Sequence, residues 1–169
     1  FEKYKKIPEY ILINSSMTLS EFKVIYLWEW GHRLLARLVG LVCVIPLIFF
    51  LFMKKLSKSV IKRSFLITIL IGIQGYIGWY MVQSGLTQRV DVSQYRLSIH
   101  LLMAFVIIYN TLMLLFEVAN IKLINTNETR PIWFSFFSII VFLQIFSGGL
   151  MSGLDAGLVY PTWPLMGLN

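Results

Sequence analysis

The sequence predicts an all-α membrane protein, a helical bundle with four transmembrane helices. Of its 169 residues 57% are hydrophobic and 14% are charged, and the mean hydropathy is +0.74. Soluble domains carry roughly 25% charged residues because their surfaces face water. A helix needs about 20 apolar residues to cross the hydrocarbon core. Four stretches meet this length, at residues 34–53, 64–83, 97–116 and 132–151.

The first helix is expected to begin in water, ahead of its apolar stretch. Thr18 and Glu21 have the spacing of a capping box, and Phe22 and Ile25 follow at helical intervals. We therefore predict an outer loop over residues 1–21, with the helix beginning near residue 19.

The basic residues determine the predicted orientation. Residues 54–63 carry no acid and five cations, namely Lys54, Lys55, Lys58, Lys62 and Arg63. Residues 84–95 carry Arg89 against Asp91. By the positive-inside rule, residues 54–63 face the cytoplasm or matrix and both chain ends lie outside. The net charge of +7 thus reflects membrane topology, and no nucleic acid is expected as a partner.

The remaining segments follow from this orientation. Residues 117–131 are expected to form a polar inner loop, and residues 132–169 a fourth span followed by an outer loop. Glycines at helical spacing predict close helix packing, in one set at Gly72, Gly75 and Gly78 and in another at Gly149, Gly153 and Gly157. Polar side chains within spans, Gln74, Asn110 and Gln144, are predicted to hydrogen-bond between helices.

Two histidines, His32 and His100, are the only ones in the chain. Each lies near the outer end of a span, and the two spans run in the same direction. An ionisable residue at membrane depth costs at least about 2.5 kcal/mol on insertion scales, so it usually has a function. Two imidazoles at equal depth on different helices can bind one haem iron from both sides. The alternative is that each histidine is an interfacial residue bonded to a neighbour.

Charged residues surround this pair. Arg33, Arg37 and Arg96 could bind haem propionates, since Arg binds carboxylates bidentately, or could extend to lipid headgroups. Glu29 lies three residues before His32, on the same helical face. It could act as a general acid or base beside the haem, or simply pair with Arg33.

Four motifs along the chain resemble those of the haem A synthase family. Residues 29–33, EWGHR, with Arg37 and Gly40, resemble EWxHRxxGRxxG, and residues 78–86, GWYMVQSGL, resemble GWYMVxSGL. Residues 93–102, SQYRLSIHLL, are similar to YRLxxHL, and residues 153–166, GLDAGLVYPTWPLM, to DAGLxYNxWPLM. The resemblance covers nearly the whole chain.

The resemblance implies an oxidoreductase that converts a methyl group of haem O to the formyl group of haem A for cytochrome c oxidase. It implies that His32 and His100 ligate substrate haem O and that Glu29 takes part in the reaction. Family members have eight spans in two similar halves. Residues 22–116 would be three helices of the N-terminal haem-binding half, and residues 132–169 would begin the second half.

The same resemblance carries further expectations. A haem B cofactor would be held by a histidine pair in the second half, so this chain is expected to be a piece of a longer protein and incomplete as an enzyme. Candidate partners are a haem O synthase, an electron donor and a second copy of the chain. The expected location is a bacterial plasma membrane or the mitochondrial inner membrane.

Two positions depart from the family pattern. Ala36 replaces a glycine, which is a small change, and Pro161 replaces an asparagine, which could alter the outer loop. Residues 1–21 lack the cysteine pair of some bacterial members, which favours the proteobacterial and mitochondrial branch.

Two other functions are compatible with the histidine pair. A membrane b-type cytochrome would pass electrons through a bis-histidine haem and would need no Glu29. A non-catalytic assembly or transport protein would use both histidines structurally and bind no haem.

Overall fold

A computed structural model of the chain describes residues 1–85, 90–121, 132–159 and 162. All regular elements in these ranges are helical, which confirms the predicted all-α class. They are a 3₁₀ turn at Tyr4–Lys6 and six α-helices: α1 (Pro8–Leu12), α2 (Leu19–Met53), α3 (Lys58–Gln83), α4 (Gln94–Val118), α5 (Ile132–Ser152) and α6 (Ala156–Val159). Helices α2 to α5 are each long and apolar enough to cross a membrane. The chain is therefore a multi-pass membrane protein.

Helix α2 begins where its capping box predicts. The Thr18 side chain accepts from the backbone N–H of Glu21, and the backbone N–H of Thr18 donates to the Glu21 carboxylate at 2.8 Å. The helix has 35 residues, which at 1.5 Å per residue gives about 52 Å. Because the hydrocarbon core is about 30 Å thick, a helix of this length extends beyond the core.

The inner loop between α2 and α3 is shorter than predicted. Lys54 adopts a left-handed backbone conformation, with φ of 52°, and ends α2. Ser57 then caps α3 by accepting from the N–H of Val60 at 3.2 Å. The expected loop over residues 54–63 was wrong in extent, because residues 58–63 already belong to α3.

The N-terminal segment folds against the outer end of α2. Tyr4 donates to the Glu9 carboxylate at 3.0 Å, and the Asn14 amide donates to the Tyr4 hydroxyl at 2.9 Å. The Tyr4 and Phe22 rings pack with centroids 4.9 Å apart. Burial raises the pKa of Tyr4, so its hydroxyl stays protonated and donates at neutral pH. The predicted outer loop thus contains ordered helical turns.

The four long helices pack in chain order, as a row. Helix α3 packs on α2 and α4, and α4 packs on α3 and α5. Within the described ranges, α2 makes no close backbone contact with α4 or α5. Since α2 and α4 flank α3 and run in the same direction, a gap separates the two helices that carry the histidines.

Small residues make the closest helix contacts. Ser98 of α4 is fully buried. A Cβ at Gly149 of α5 would lie 2.7 Å from the Ser98 hydroxyl, and one at Gly153 would lie 2.7 Å from Cα of Gln94. The packing prediction is confirmed at these two glycines and at Gly78. It is wrong at Gly72, Gly75 and Gly157, where a Cβ would meet no atom of the described residues within 4 Å.

Polar contacts add to the α3–α4 interface. The Arg63 guanidinium donates to the Glu117 carboxylate at 3.2 Å, between the first turns of α3 and the last turn of α4. Asn110, predicted to bond between helices, donates to Val106 of its own helix at 2.8 Å. The predicted inner loop lies outside the described residues from position 122 onward, as do Arg89, Pro161 and much of the 153–166 motif.

Candidate functional site

His32 and His100 occupy similar heights on the parallel helices α2 and α4. Met53 follows His32 by 21 residues and Val118 follows His100 by 18, which places the histidines about 31 and 27 Å above the inner helix ends. The two heights differ by roughly one helical turn.

His100 lies against α3. The Gln74 side-chain nitrogen donates to the main-chain oxygen of His100 at 3.1 Å and lies 3.3 Å from Nε2 of its ring. One turn later on α3, Gly78 leaves space for the ring, since a Cβ there would lie 2.9 Å from Cε1 of His100. An amide and the bare backbone of a glycine, one turn apart on α3, thus line the same edge of the His100 ring.

His32 is exposed, in contrast to the half-buried His100. No hydrogen bond to the His32 ring is present among the described residues. Its imidazole is therefore accessible to a ligand from outside the described part of the chain.

Glu29 and Arg33 form an ion pair one turn apart on α2. Both side chains are 57% exposed, so water and lipid headgroups can reach them. Glu29 lies about 4.5 Å further out along the helix axis than His32. The pair is the outcome expected from the spacing alone.

The other two predicted arginines have different surroundings. Arg37 is exposed and has no hydrogen-bond or ionic partner in the described ranges. Arg96 donates to the Tyr80 carbonyl at 2.7 Å, and its guanidinium carbon lies 3.6 Å from the centre of the Tyr80 ring. In this conformation Arg96 joins α4 to the outer end of α3, and Arg37 is the cation available to an anionic ligand.

Sequence reasoning missed the partners of His100. Gln74 was predicted to bond between helices, which is confirmed, but nothing in its spacing identifies His100 as the acceptor. Gly78 belonged to a set of three glycines at helical spacing, and only the packing of α3 on α4 separates it from Gly72 and Gly75. An available signal was the order of the spans, since α3 lies between the two histidine helices.

The residues present fit a haem iron. His100 Nδ1 and Gln74 Oε1 are buried without a hydrogen-bond partner in the part of the chain that the structure describes, so the site is polar and incompletely satisfied. Those ranges contain no cluster of three or more His, Cys, Asp or Glu residues that could hold a metal ion. A porphyrin supplies four ligands itself and needs only two axial imidazoles, which is the number that this chain offers.

Comparisons with known proteins agree along the whole chain. The family model described as COX15-CtaA, cytochrome oxidase assembly protein, matches residues 1–169. The chain is 45% identical to the heme A synthase of Pelagibacter ubique, over 98% of this chain and 49% of that protein. It is 47% identical to the heme A synthase of Rickettsia bellii, over 100% of this chain and 52% of that protein.

A third relative, the heme A synthase of a Chelativorans species, is 47% identical over 98% of this chain and 46% of its own length. The chain thus spans about half the length of the curated relatives it matches. No solved structure matches it significantly. The extent of the match shows that the chain belongs to the COX15-CtaA family of cytochrome oxidase assembly proteins.

Proposed function

We propose that this chain forms the substrate-binding part of a haem A synthase, which oxidises a methyl group of haem O to a formyl group. The observation that carries the proposal is the pair of imidazoles, His32 and His100, at matched height on two parallel helices separated by α3. The identity of 45–47% to proteins named heme A synthase over nearly the whole chain supports it.

Within this function, His32 and His100 bind the haem iron axially and fix the height of the porphyrin in the membrane. Arg33 lies next to His32, and Arg37 lies five residues after it, about 7.5 Å toward the inner end of α2. Propionate groups would be neutralised at these cations. Arg96 orders the outer end of α3 through Tyr80 and so shapes the outer rim of the site. Bound in this way, the substrate places its periphery near the level of Glu29.

Glu29 is the proposed proton acceptor. With water as the oxygen source, conversion of a methyl to a formyl group adds one oxygen atom and releases four protons and four electrons. The electrons pass to a redox partner, and the protons need an acceptor beside the reacting carbon. Glu29 lies on the histidine face of α2 and is reachable from the outer phase, so a proton taken there can leave to water.

The proposed function also involves a second haem, the haem B cofactor, which other parts of the protein would hold. The chain has one histidine pair, so a haem B cofactor with two imidazole ligands needs residues that this sequence does not contain. The compared relatives are bacterial, which supports a location in a bacterial plasma membrane.

The test is to express the complete protein that contains this sequence in a host lacking its own haem A synthase, then extract and separate the haems. We expect haem A with the wild type and none after His32→Ala or His100→Ala. Glu29→Gln should retain bound haem, shown by the reduced-minus-oxidised spectrum, while haem A yield falls at least about 100-fold, as for loss of a general base.

The matched control is Glu21→Gln, at the outer end of the same helix. Glutamine is accepted at this capping-box position, so haem A yield should not change. Haem B alone in every sample would instead favour an electron-transfer cytochrome. Normal haem A yield from Glu29→Gln would remove Glu29 from the reaction.

A further inference from the structure

Four exposed lysines lie where α2 ends and α3 begins, and together they form the lysine patch: Lys54, Lys55, Lys58 and Lys62. Residues 54–63 contain no acid. The fifth cation of this stretch, Arg63, pairs with Glu117 of α4. None of the four lysines has an ionic or hydrogen-bond partner among the described residues. Those residues thus supply a counterion between α3 and α4 and none for the patch between α2 and α3.

The positions of these lysines are unfavourable for α3 by itself. Lys58 is the first residue of α3, and no acid occurs in the first turn of that helix. A helix N-terminus carries a partial positive charge, so cations there destabilise the helix. Lys58 and Lys62 are also four residues apart on one helical face, where like charges repel. Neutralisation of the patch by an anion from outside the described chain would therefore stabilise the start of α3.

Large apolar side chains lie beside the lysine patch, toward the middle of the two spans. Phe52, one residue before the end of α2, is 83% exposed, and Phe65, two turns into α3, is 58% exposed. A phospholipid carries an anionic phosphate next to its acyl chains, so it matches both the lysines and the phenylalanines. Inorganic phosphate matches only the lysines.

We propose that the lysine patch binds the headgroup of an anionic phospholipid, whose acyl chains lie against Phe52 and Phe65. Four or more basic residues immediately beside a transmembrane helix are typical of segments that bind anionic lipid headgroups. Lys54 and Lys58 are four residues apart, so their Cα atoms are separated by at most about 14 Å and their long side chains can reach one headgroup. The bound lipid joins the end of α2 to the start of α3.

The lysine patch is remote from the candidate haem site. Lys54 follows His32 by 22 residues, which is about 33 Å along α2. Lipid binding here goes beyond the proposed function and does not depend on it, so failure to make haem A would leave the lipid measurements valid.

The test uses the complete protein that contains this chain, purified in a neutral detergent. It is titrated separately with phosphatidylglycerol, phosphatidylcholine and inorganic phosphate, and the thermal unfolding midpoint is measured. A ligand that binds only the folded state raises this midpoint. We expect a clear rise with phosphatidylglycerol and little or none with the other two. High salt should weaken the response, because it screens exposed charges.

A triple variant locates the response on the patch. Lys55→Gln, Lys58→Gln and Lys62→Gln are combined, and Lys54 is kept because its left-handed backbone ends α2. Each lysine near an anionic surface contributes roughly a factor of five to binding, so the affinity for phosphatidylglycerol should fall about 100-fold.

The matched control removes three exposed lysines from the other end of the chain's first long helix and the segment that packs there. It combines Lys3→Gln, Lys6→Gln and Lys23→Gln. The change in net charge is the same, and the affinity for phosphatidylglycerol should not change.

Hydrogen exchange of the wild type gives a second readout, which stands even if the triple variant does not fold. Phosphatidylglycerol should slow amide exchange at the end of α2 and in the first turns of α3, and should leave the first turns of α2 unchanged, because elements that gain contacts open less often.

Equal midpoints with phosphatidylglycerol and phosphatidylcholine would overturn the proposal and leave the lysines with a role in membrane orientation alone. An equal rise with inorganic phosphate would show a free-anion site in place of a lipid site. Equal loss of affinity in the two triple variants, or protection from exchange elsewhere than at the patch, would also refute the assignment.

Discussion

Replacing Gly78 by alanine should displace the His100 ring. The added methyl would lie 2.9 Å from Cε1 of the imidazole, whereas carbon atoms in contact are normally about 3.5–4.0 Å apart. The ring or helix α3 must therefore move by at least about 0.6 Å. Displacements of about 1 Å at a reacting centre can lower the rate by about 100-fold.

The effect on stability should be small compared with the effect on the site. Overpacking costs about 1–3 kcal/mol, and exchanging glycine for alanine within a helix returns about 1 kcal/mol. We thus expect a folded Gly78→Ala protein that has weakened haem binding and haem A yield reduced by about 10-fold or more. The assay is haem extraction and chromatography from membranes, together with a thermal unfolding curve of the purified protein.

The chain provides a matched control on the same helix. A methyl group at Gly75 would meet no atom within 4 Å in the part of the chain that the structure describes, so Gly75→Ala should preserve haem content, yield and spectrum. The reasoning is refuted if Gly78→Ala equals the wild type in haem affinity and yield, or if Gly75→Ala is equally impaired.

Three further predictions concern the scaffold. Gly149→Ala brings a methyl within 2.7 Å of the Ser98 hydroxyl and should destabilise the protein by about 1–3 kcal/mol in thermal unfolding, while Gly148→Ala, with open space around it, should not. A double-mutant cycle on Arg63 and Glu117, one-third exposed or less, should give a coupling of about 1 kcal/mol, and zero coupling would show that the pair does not stabilise the α3–α4 interface. Thr18→Ala removes the cap of α2 and should cost about 1 kcal/mol, seen as faster hydrogen exchange confined to the first turn; unchanged exchange there would contradict the capping assignment.

Local signals predicted the helices well because their causes are local. The capping box at Thr18 and Glu21 gave the start of α2, since its two hydrogen bonds join residues three apart. The start of α3 was placed too late because hydropathy excludes basic residues, although Ser57 provides a cap and the cations extend from the first turns of the helix. Composition shows which stretch of a helix is apolar, but the helix continues beyond that stretch as far as its capping residues.

The candidate site was predictable only in part. The helices and heights of His32 and His100 follow from counting along spans, and the pairing of Glu29 with Arg33 follows from their spacing. The surroundings of His100 could not be predicted in this way. The rotation of α3 about its axis decides which of its polar and small residues contact the ring, and these are Gln74 and Gly78. The roles of these residues toward haem remain predictions.

Packing in a row gives the two sides of the candidate site unequal stiffness. Helix α4 is held from both sides, by α3 and α5, whereas α2 packs on α3 alone among the four long helices that the structure describes. Elements with fewer contacts open at lower free energy, so thermal motion should swing His32 more widely than His100. A flat ligand bound between the two histidines would then contact a rigid helix, α4, and a more mobile helix, α2. Its exchange rate would depend on how far α2 tilts away from α3.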